Sequence, residues 1–389
     1  MESLEIKLKS LALDNYRNYK KSSLDLDEGF NVFYGDNGHG KSNLLESIYM
    51  LSIAKSSRVS HDKYLINHNL LNSSGHAQIL GIAEEKTNNI KAQIDYEVFQ
   101  NLDIAKAFRI NGVIVSTQEF VGNVNSVFFD TDDIRIITGP PSGRRKYLNI
   151  LLSQINNDHV KNLQRFQKVL MQRNKLIKNI KDGKSKKIEL EFWNSRLSEE
   201  GASIFFERNS ILKKLMKNSK QFASELNNSI EMEIYYTPRI GSNESSEIFN
   251  ENPNVQDIKD LYTKAIEKNY QRDIDQRTTL LGPHRDDFII NFNETIASSS
   301  ASRGQARIMS LALKLSEAEE IINLTNKKPI LILDDIFSEL DQKIRSNIIK
   351  KIKKFEQVLI STADMNLIDK KSIKESNIYS INNGKVSKE

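Results

Sequence analysis

One loop, Gly35-Asp36-Asn37-Gly38-His39-Gly40-Lys41-Ser42, constrains this chain more than any other stretch. It has the form Gly-x-x-x-x-Gly-Lys-Ser, and its flanks are those such a loop requires. Phe30, Val32 and Tyr34 alternate ahead of it as a short strand, and Leu44, Leu45, Ile48 and Leu51 follow at helical spacing. Strand, glycine turn and helix together make an anion cradle. The glycines let the backbone curl without a Cβ clash. Amides from Asn37 to Lys41 then face a β-phosphate at the positive end of the helix dipole. In such a cradle Lys41 reaches the β- and γ-phosphates and the Ser42 hydroxyl ligates Mg²⁺. The loop predicts a nucleoside triphosphate site.

At 389 residues the chain exceeds the usual single-domain size, so two lobes are expected. No apolar run approaches the ~18 residues that span a bilayer. The start lacks the basic and apolar regions of a secretory signal, which predicts a cytoplasmic protein without a membrane partner. Cysteine is absent, so disulfides, thiolate zinc sites and cysteine nucleophiles are excluded. The net charge of +5 leans towards a polyanionic partner, although the chain is also rich in Lys, Asn and Ile, as a biased base composition would make it.

Leu4, Ile6 and Leu8 alternate with charged residues as an N-terminal strand, Asn15 to Tyr19 interrupts it, and Leu24 and Leu26 resume it. Arg17 and Asn18 either lie beside a bound base or form a surface turn. Strands follow at Gln78 to Ala83, Ile90 to Val98 and Phe108 to Ile110, and Asn111-Gly112 is a hairpin turn into Val113-Ile114-Val115. An antiparallel meander is the expected result. Val127-Phe128-Phe129 reads as a buried strand. Asp130, Asp132 and Asp133 sit at its C-terminal edge, either near Mg²⁺ and the attacking water or as solvated loop residues.

From Gly143 to about Tyr270 the pattern turns helical, with an apolar stripe of Leu163, Phe166, Leu170, Ile177 and Ile180. Lys161 to Lys187 holds ten Lys or Arg against one acidic residue, Asp182. Either a DNA-facing surface or biased composition accounts for this imbalance. Glu231 to Tyr236 looks like a strand, Gly241 to Gln256 like an exposed loop, and Phe288 to Phe292 like a further strand. His284 with Asp286 and Asp287 suggests a loop-ordering turn rather than a metal site.

Lys328-Pro329-Ile330-Leu331-Ile332-Leu333-Asp334-Asp335 reads as a central parallel strand ending in two carboxylates. Asp334 is expected beside Ser42 at Mg²⁺, and Asp335 where it orients or deprotonates the attacking water. Almost 290 residues separate this strand from the glycine loop, yet both must touch one nucleotide. The two ends therefore fold into one head, as residues 1–142 and 275–389, with 143–274 as an inserted helical lobe.

Ala301-Ser302-Arg303-Gly304-Gln305 opens a helix and resembles the signature motif of ABC-type ATPases of the DNA-repair group, and Ser338-Glu339-Leu340-Asp341 resembles their D-loop. Further motifs, in the same order, resemble the RecF family of recombination-mediator ATPases. They are Asn15 to Tyr19, the loop running into Asn43 to Tyr49, Ser142 to Arg145, Gly282 to Asp287, Ser302 to Gln305 and Leu333 to Asp341. Departures exist. Thr362-Ala363-Asp364 stands where many relatives place Thr-His-Asp, leaving Thr362 as a candidate for the γ-phosphate contact, and Asp335 replaces a common glutamate.

The resemblance implies an α/β P-loop ABC-type head, a mixed sheet with helices, that uses ATP and Mg²⁺ as a weak, DNA-stimulated ATPase. Lys41 and Asp335 would carry the chemistry. Gly35 to Ser42 would hold ATP, and Ser42 and Asp334 the metal. Ser302, Gly304, Gln305 and Asp341 of a second subunit would close on the γ-phosphate, making the homodimer ATP-dependent. It further implies gapped or single-strand/double-strand junction DNA as ligand, and RecR, RecO and, indirectly, RecA as partners. The alternatives are a structural tether of the SMC type and another ABC-type ATPase without that repair role. The tether needs arms of hundreds of residues, whereas helices of about 25 residues are expected here, reaching about 40 Å at ~1.5 Å per residue.

Overall fold

The computed structural model describes residues 4–70, 74–86, 88–100, 103–241, 247–368 and 376–389. The chain forms two compact units, the first of Met1–Ile134, Gln221–Ser229 and Arg307–Glu389, the second of Arg135–Lys220 and Ile230–Ala306.

In the first unit one sheet has the strand order Lys385–Lys388, Asn377–Asn382, Gly29–Tyr34, Gln357–Thr362, Ile330–Asp334, Ser126–Phe129. Only the pairing between Asn377–Asn382 and Lys385–Lys388 is antiparallel. A parallel sheet is covered on both faces, so its strands bury consecutive residues. All of Ile330–Asp334 is accordingly buried, as the apolar run predicts. The same effect corrects the alternation expected for Phe30, Val32 and Tyr34, because Asn31, Val32 and Phe33 are the buried residues there. The Asn31 amide is satisfied by donating to the Asp27 carbonyl at 2.8 Å. Register sets Tyr34 beside Thr362 and Ser361 beside Asp334. The glycine loop and the Asp334 strand thus end at one sheet edge, where ligands of such folds bind.

A second sheet runs Lys327–Lys328, Leu4–Tyr16, Gly75–Glu85, Asn88–Val98, Ile104–Ile110, Val113–Val115, with Tyr19–Asp25 also paired to Leu4–Tyr16. This contains the expected meander. Asn111 and Gly112 turn it with φ of 51° and 84°, the left-handed pair that a tight hairpin requires. Helix Lys41–Ile53 touches strands of both sheets and buries residues all round, including Leu44, Leu45, Ile48 and Leu51.

The second unit holds helices Pro141–Ile155, Asn157–Lys181, Val255–Asp275 and most of Leu190–Leu226, with Phe166, Val169, Leu197, Phe205 and Tyr262 in its core. Of the expected stripe, Phe166 and Ile177 are fully buried and Leu163, Leu170 and Ile180 partly so. Helix Leu190–Leu226 has 37 residues, longer than expected. The predicted strand near 231–236 is Met232–Thr237, and it pairs antiparallel with Asp287–Phe292. That pairing places 275–306 in the second unit rather than with the C-terminal part of the head. Of the loop expected over 241–256, residues 242–246 lie outside the described residues. The rest departs from expectation, since Ile248–Glu251 forms a 3₁₀ turn with Phe249 buried and a helix starts at Val255.

Candidate functional site

Glycine geometry shapes the loop. Gly38 and Gly40 have φ of 86° and 114°, left-handed values that residues with a Cβ rarely adopt. At Gly35 a Cβ would stand 2.2 Å from the Ile381 carbonyl oxygen, so only glycine lets this strand end so close to Asn377–Asn382. Helix Lys41–Ile53 begins directly after Gly40. The loop encloses a cavity of about 140 Å³ lined by Asn37, Gly38, Gly40, Lys41, Ser42, Asn43 and Asp335.

Within it, the Lys41 ammonium donates to the carbonyls of Gly35 (2.6 Å) and Asp36 (3.0 Å). Burial pulls its pKa down, opposed by the charges of Asp335, Asp334 and Asp36. Ser42 Oγ donates to Asp334 Oδ1 at 2.9 Å, and Ser361 Oγ donates to the same oxygen at 2.6 Å. Asp334 Oδ2 is paired with the Arg58 guanidinium, which also reaches Asp130 at 3.2 Å. Asp335 follows with φ 51°, its amide donating to Ser361 Oγ at 3.0 Å. Burial raises the Asp335 carboxyl, and the neighbouring charge of Asp334 adds to the rise. A serine hydroxyl and a carboxylate oxygen in contact, with a second carboxyl on the same cavity, are the hard oxygen donors that Mg²⁺ prefers.

The other predicted residues make the following contacts within the chain. Arg17 pairs with the buried Glu46 at 2.6 Å. Asn18 bonds to the glycine loop, its amide donating to the His39 carbonyl at 3.0 Å. Asp130 caps the turn Thr131–Asp133, and its amide donates to Asp133 Oδ2 at 2.8 Å. Thr362 Oγ1 donates to the Asp364 carbonyl and accepts from the Asp364 amide, so its hydroxyl holds its own turn. Asp341 caps helix Gln342–Ile352 by accepting from Ile344. Ser302 and Gln305, in the second unit, cap the start of helix Arg303–Thr325 reciprocally. The Ser302 amide donates to Gln305 Oε1 at 2.8 Å and the Gln305 amide to Ser302 Oγ at 3.3 Å. Ser302 and Gly304 are exposed, with open space beside Gly304.

Arg58 and Ser361 are site residues that sequence reading misses. A basic residue after helix Lys41–Ile53 and a serine ending a strand carry no motif of their own.

The motifs Ser142 to Arg145 and Gly282 to Asp287 meet in the second unit. Arg144 grips Asp287 with two bonds of 2.7 and 2.8 Å, and Arg145 donates to the Asp286 carbonyl at 2.7 Å. The buried Asp286 is bound by Arg208 and by the Tyr236 hydroxyl, each at 2.6 Å. Burial pushes His284 down to about 4, and its Nε2 lies 3.1 Å from the Thr279 carbonyl. These side chains order the turn.

The profile of the RecF/RecN/SMC N terminal domain matches residues 7–387. The DNA replication and repair protein RecF of Thermoanaerobacter sp. (strain X514) is 37% identical over 383 residues, covering 98% of this chain and 99% of that protein. RecF of Alkaliphilus oremlandii (strain OhILAs) is 33% identical over 381 residues, covering 97% and 99%. Among solved structures, the recombination mediator protein RecF with ATP, of the RecFOR pathway, superposes with a TM-score of 0.87 at 33% identity, over 99% of this chain and 98% of that one. An Smc head domain from Pyrococcus furiosus shares the fold, with a TM-score of 0.53 and 16% identity over 99% and 96%. An ABC/SMC-type ATPase head carrying the Ser42–Asp334 edge, matched along nearly its whole length by these relatives, places the chain in the RecF family.

Proposed function

We propose that this chain is an ATP-driven DNA-binding switch of replication and recombinational repair. The observation that carries the reading is the 2.9 Å bond between Ser42 and Asp334, which joins the glycine loop to the acidic strand end. ATP sits on the amides of Gly35 to Ser42. Lys41 exchanges its bonds to the Gly35 and Asp36 carbonyls for the β- and γ-phosphates. Ser42 and Asp334 would hold Mg²⁺, which would supply charge neutralisation at the phosphates. Asp335 orients the attacking water and accepts its proton, and Arg58 and Ser361 keep Asp334 in place.

The exposed Ser302 and Gly304 helix start of a second subunit closes on the γ-phosphate, and the Gln305 and Asp341 of that subunit complete the site. The dimer so formed binds duplex DNA beside gaps or single-strand junctions and, with RecR and RecO, assists RecA loading. Lys161, Arg165, Lys168 and Lys175 supply phosphate contacts. All four are exposed on one side of helix Asn157–Lys181, opposite Phe166, Val169 and Ile177. Such contacts ignore sequence and weaken with salt.

Sedimentation with ATP, ADP or neither, with and without gapped DNA, tests the reading. Dimers and DNA complexes should require ATP, and Lys41→Ala should weaken ATP binding by about tenfold or more, the loss expected of charge-assisted hydrogen bonds. A Lys41→Ala protein with normal ATP affinity in a filter assay would refute it.

A further inference from the structure

The carbonyls of the glycine loop are held from outside by two distant parts of the chain. The His39 carbonyl accepts from Asn18 Nδ2 at 3.0 Å and from the Gly384 amide at 3.1 Å. The next carbonyl, Gly40, accepts from the Tyr19 hydroxyl at 2.9 Å. Asn18 is itself oriented, because its Oδ1 accepts from Asn43 Nδ2 at 2.8 Å. Steric constraints repeat the pattern. A Cβ on Gly40 would meet Asn18 Nδ2 at 2.5 Å and the Tyr19 hydroxyl at 2.9 Å, and one on Gly384 would meet the Asn18 carbonyl at 2.6 Å.

A trans peptide is planar, and its C=O and N–H point in opposite directions. The His39 carbonyl shares its peptide plane with the Gly40 amide, and the Gly40 carbonyl with the Lys41 amide. Whatever fixes those two oxygens outward aims the two N–H groups the other way, into the cavity that Gly40 and Lys41 line. We infer that Asn18, Tyr19 and the Gly384 turn are positioning residues for the phosphate cradle, setting the Gly40 and Lys41 amides before any anion arrives. This rests on the phosphate-loop function proposed for Gly35 to Ser42. Left-handed glycines give the loop freedom to rotate these planes; the outside donors remove it at His39, and at Gly40 the Tyr19 hydroxyl adds to the first helical bond, from the Leu44 amide at 2.9 Å. The Tyr19 ring is buried, which raises its pKa and keeps the hydroxyl a donor. The cradle is therefore preorganised by the turn between strands Leu4–Tyr16 and Tyr19–Asp25 and by the turn of the hairpin formed by Asn377–Asn382 and Lys385–Lys388.

The test uses the full chain with inorganic pyrophosphate and ATP as probes, measured by calorimetry, alongside unfolding temperature without ligand. Tyr19→Phe removes only the hydroxyl, and Asn18→Asp removes the Nδ2 donor while keeping an acceptor for Asn43. Each should weaken pyrophosphate and ATP about three- to tenfold, the range for one hydrogen bond, with the ligand-free unfolding temperature unchanged. Gly384→Ala, strained at φ 76° and forced away from Asn18, should also weaken both probes, with some loss of ligand-free stability. Wild-type affinity in Tyr19→Phe and Asn18→Asp, or a fall in unfolding temperature with affinity intact, overturns the inference while Lys41→Ala still binds ATP poorly. If Lys41→Ala also keeps ATP, the phosphate-loop function itself has failed.

Discussion

Arg58 and Asp334 form an ion pair at the end of the central strand, on a carboxylate that also accepts from Ser42 and Ser361. One buried aspartate thus has three protein partners, two on Oδ1 and one on Oδ2. Ser42 and Arg58 belong to the segment around the glycine loop, and Ser361 to the neighbouring strand. The carboxylate is fixed in place for whatever it binds.

Arg58→Ala should leave Oδ2 of that carboxylate without its ion-pair partner. Removing the partner of a buried group costs about 1–3 kcal/mol, and the lower half of that range applies because Arg58 is partly exposed. Chemical denaturation without nucleotide should show the loss, and addition of Mg²⁺ and ATP should recover much of it.

Ser302→Arg places a long cation at the exposed start of helix Arg303–Thr325. ATP should still bind, while ATP-induced dimers disappear in light scattering. Unaltered dimers would remove the shared-site arrangement.

Replacing Lys161, Arg165 and Lys168 with Glu reverses charge on the exposed side of helix Asn157–Lys181 without touching Phe166, Val169 or Ile177. DNA affinity should fall for every sequence tested, and the slope of log affinity against log salt should flatten by roughly 0.9 for each phosphate that is no longer neutralised. An unchanged slope would assign the lysines to composition alone.

Burial lifts Asp133 to about 7 from an ordinary 3.8. A carboxyl whose pKa is raised by folding binds more protons folded than unfolded between those values, so stability must fall as pH climbs from about 4 to 7 and level off above. Asp133→Asn keeps an oxygen for the Asp130 amide and removes the titration. Its stability relative to wild type should therefore rise across that window, as followed by denaturant midpoints at pH 5 and pH 8.

Sequence legibility followed the range over which each feature is determined. Gly35 to Ser42 and Ile330 to Asp335 were readable because loop chemistry and double-sided burial are written in consecutive residues. The Asn111-Gly112 hairpin was readable for the same reason. Both Met232–Thr237 and Asp287–Phe292 were readable as strands, yet their pairing was not, because it is a tertiary choice that alternation does not encode. Asp341 and Gln305 were picked out by their motifs, whereas their caps on helices Gln342–Ile352 and Arg303–Thr325 are set by local backbone amides. Arg58, Ser361 and Gly384 act across long stretches of chain, and no spacing rule links them to the loop.

Strand Asn377–Asn382 lies directly against Gly29–Tyr34, and its Ile381 carbonyl closes over Gly35. During synthesis the glycine loop leaves the ribosome early, but the strand that walls it is made hundreds of residues later. Until then Gly29–Tyr34 has an open flank and the loop lacks the Gly384 bond. A nascent chain halted before residue 377 should carry every atom of the glycine motif and still fail to retain nucleotide.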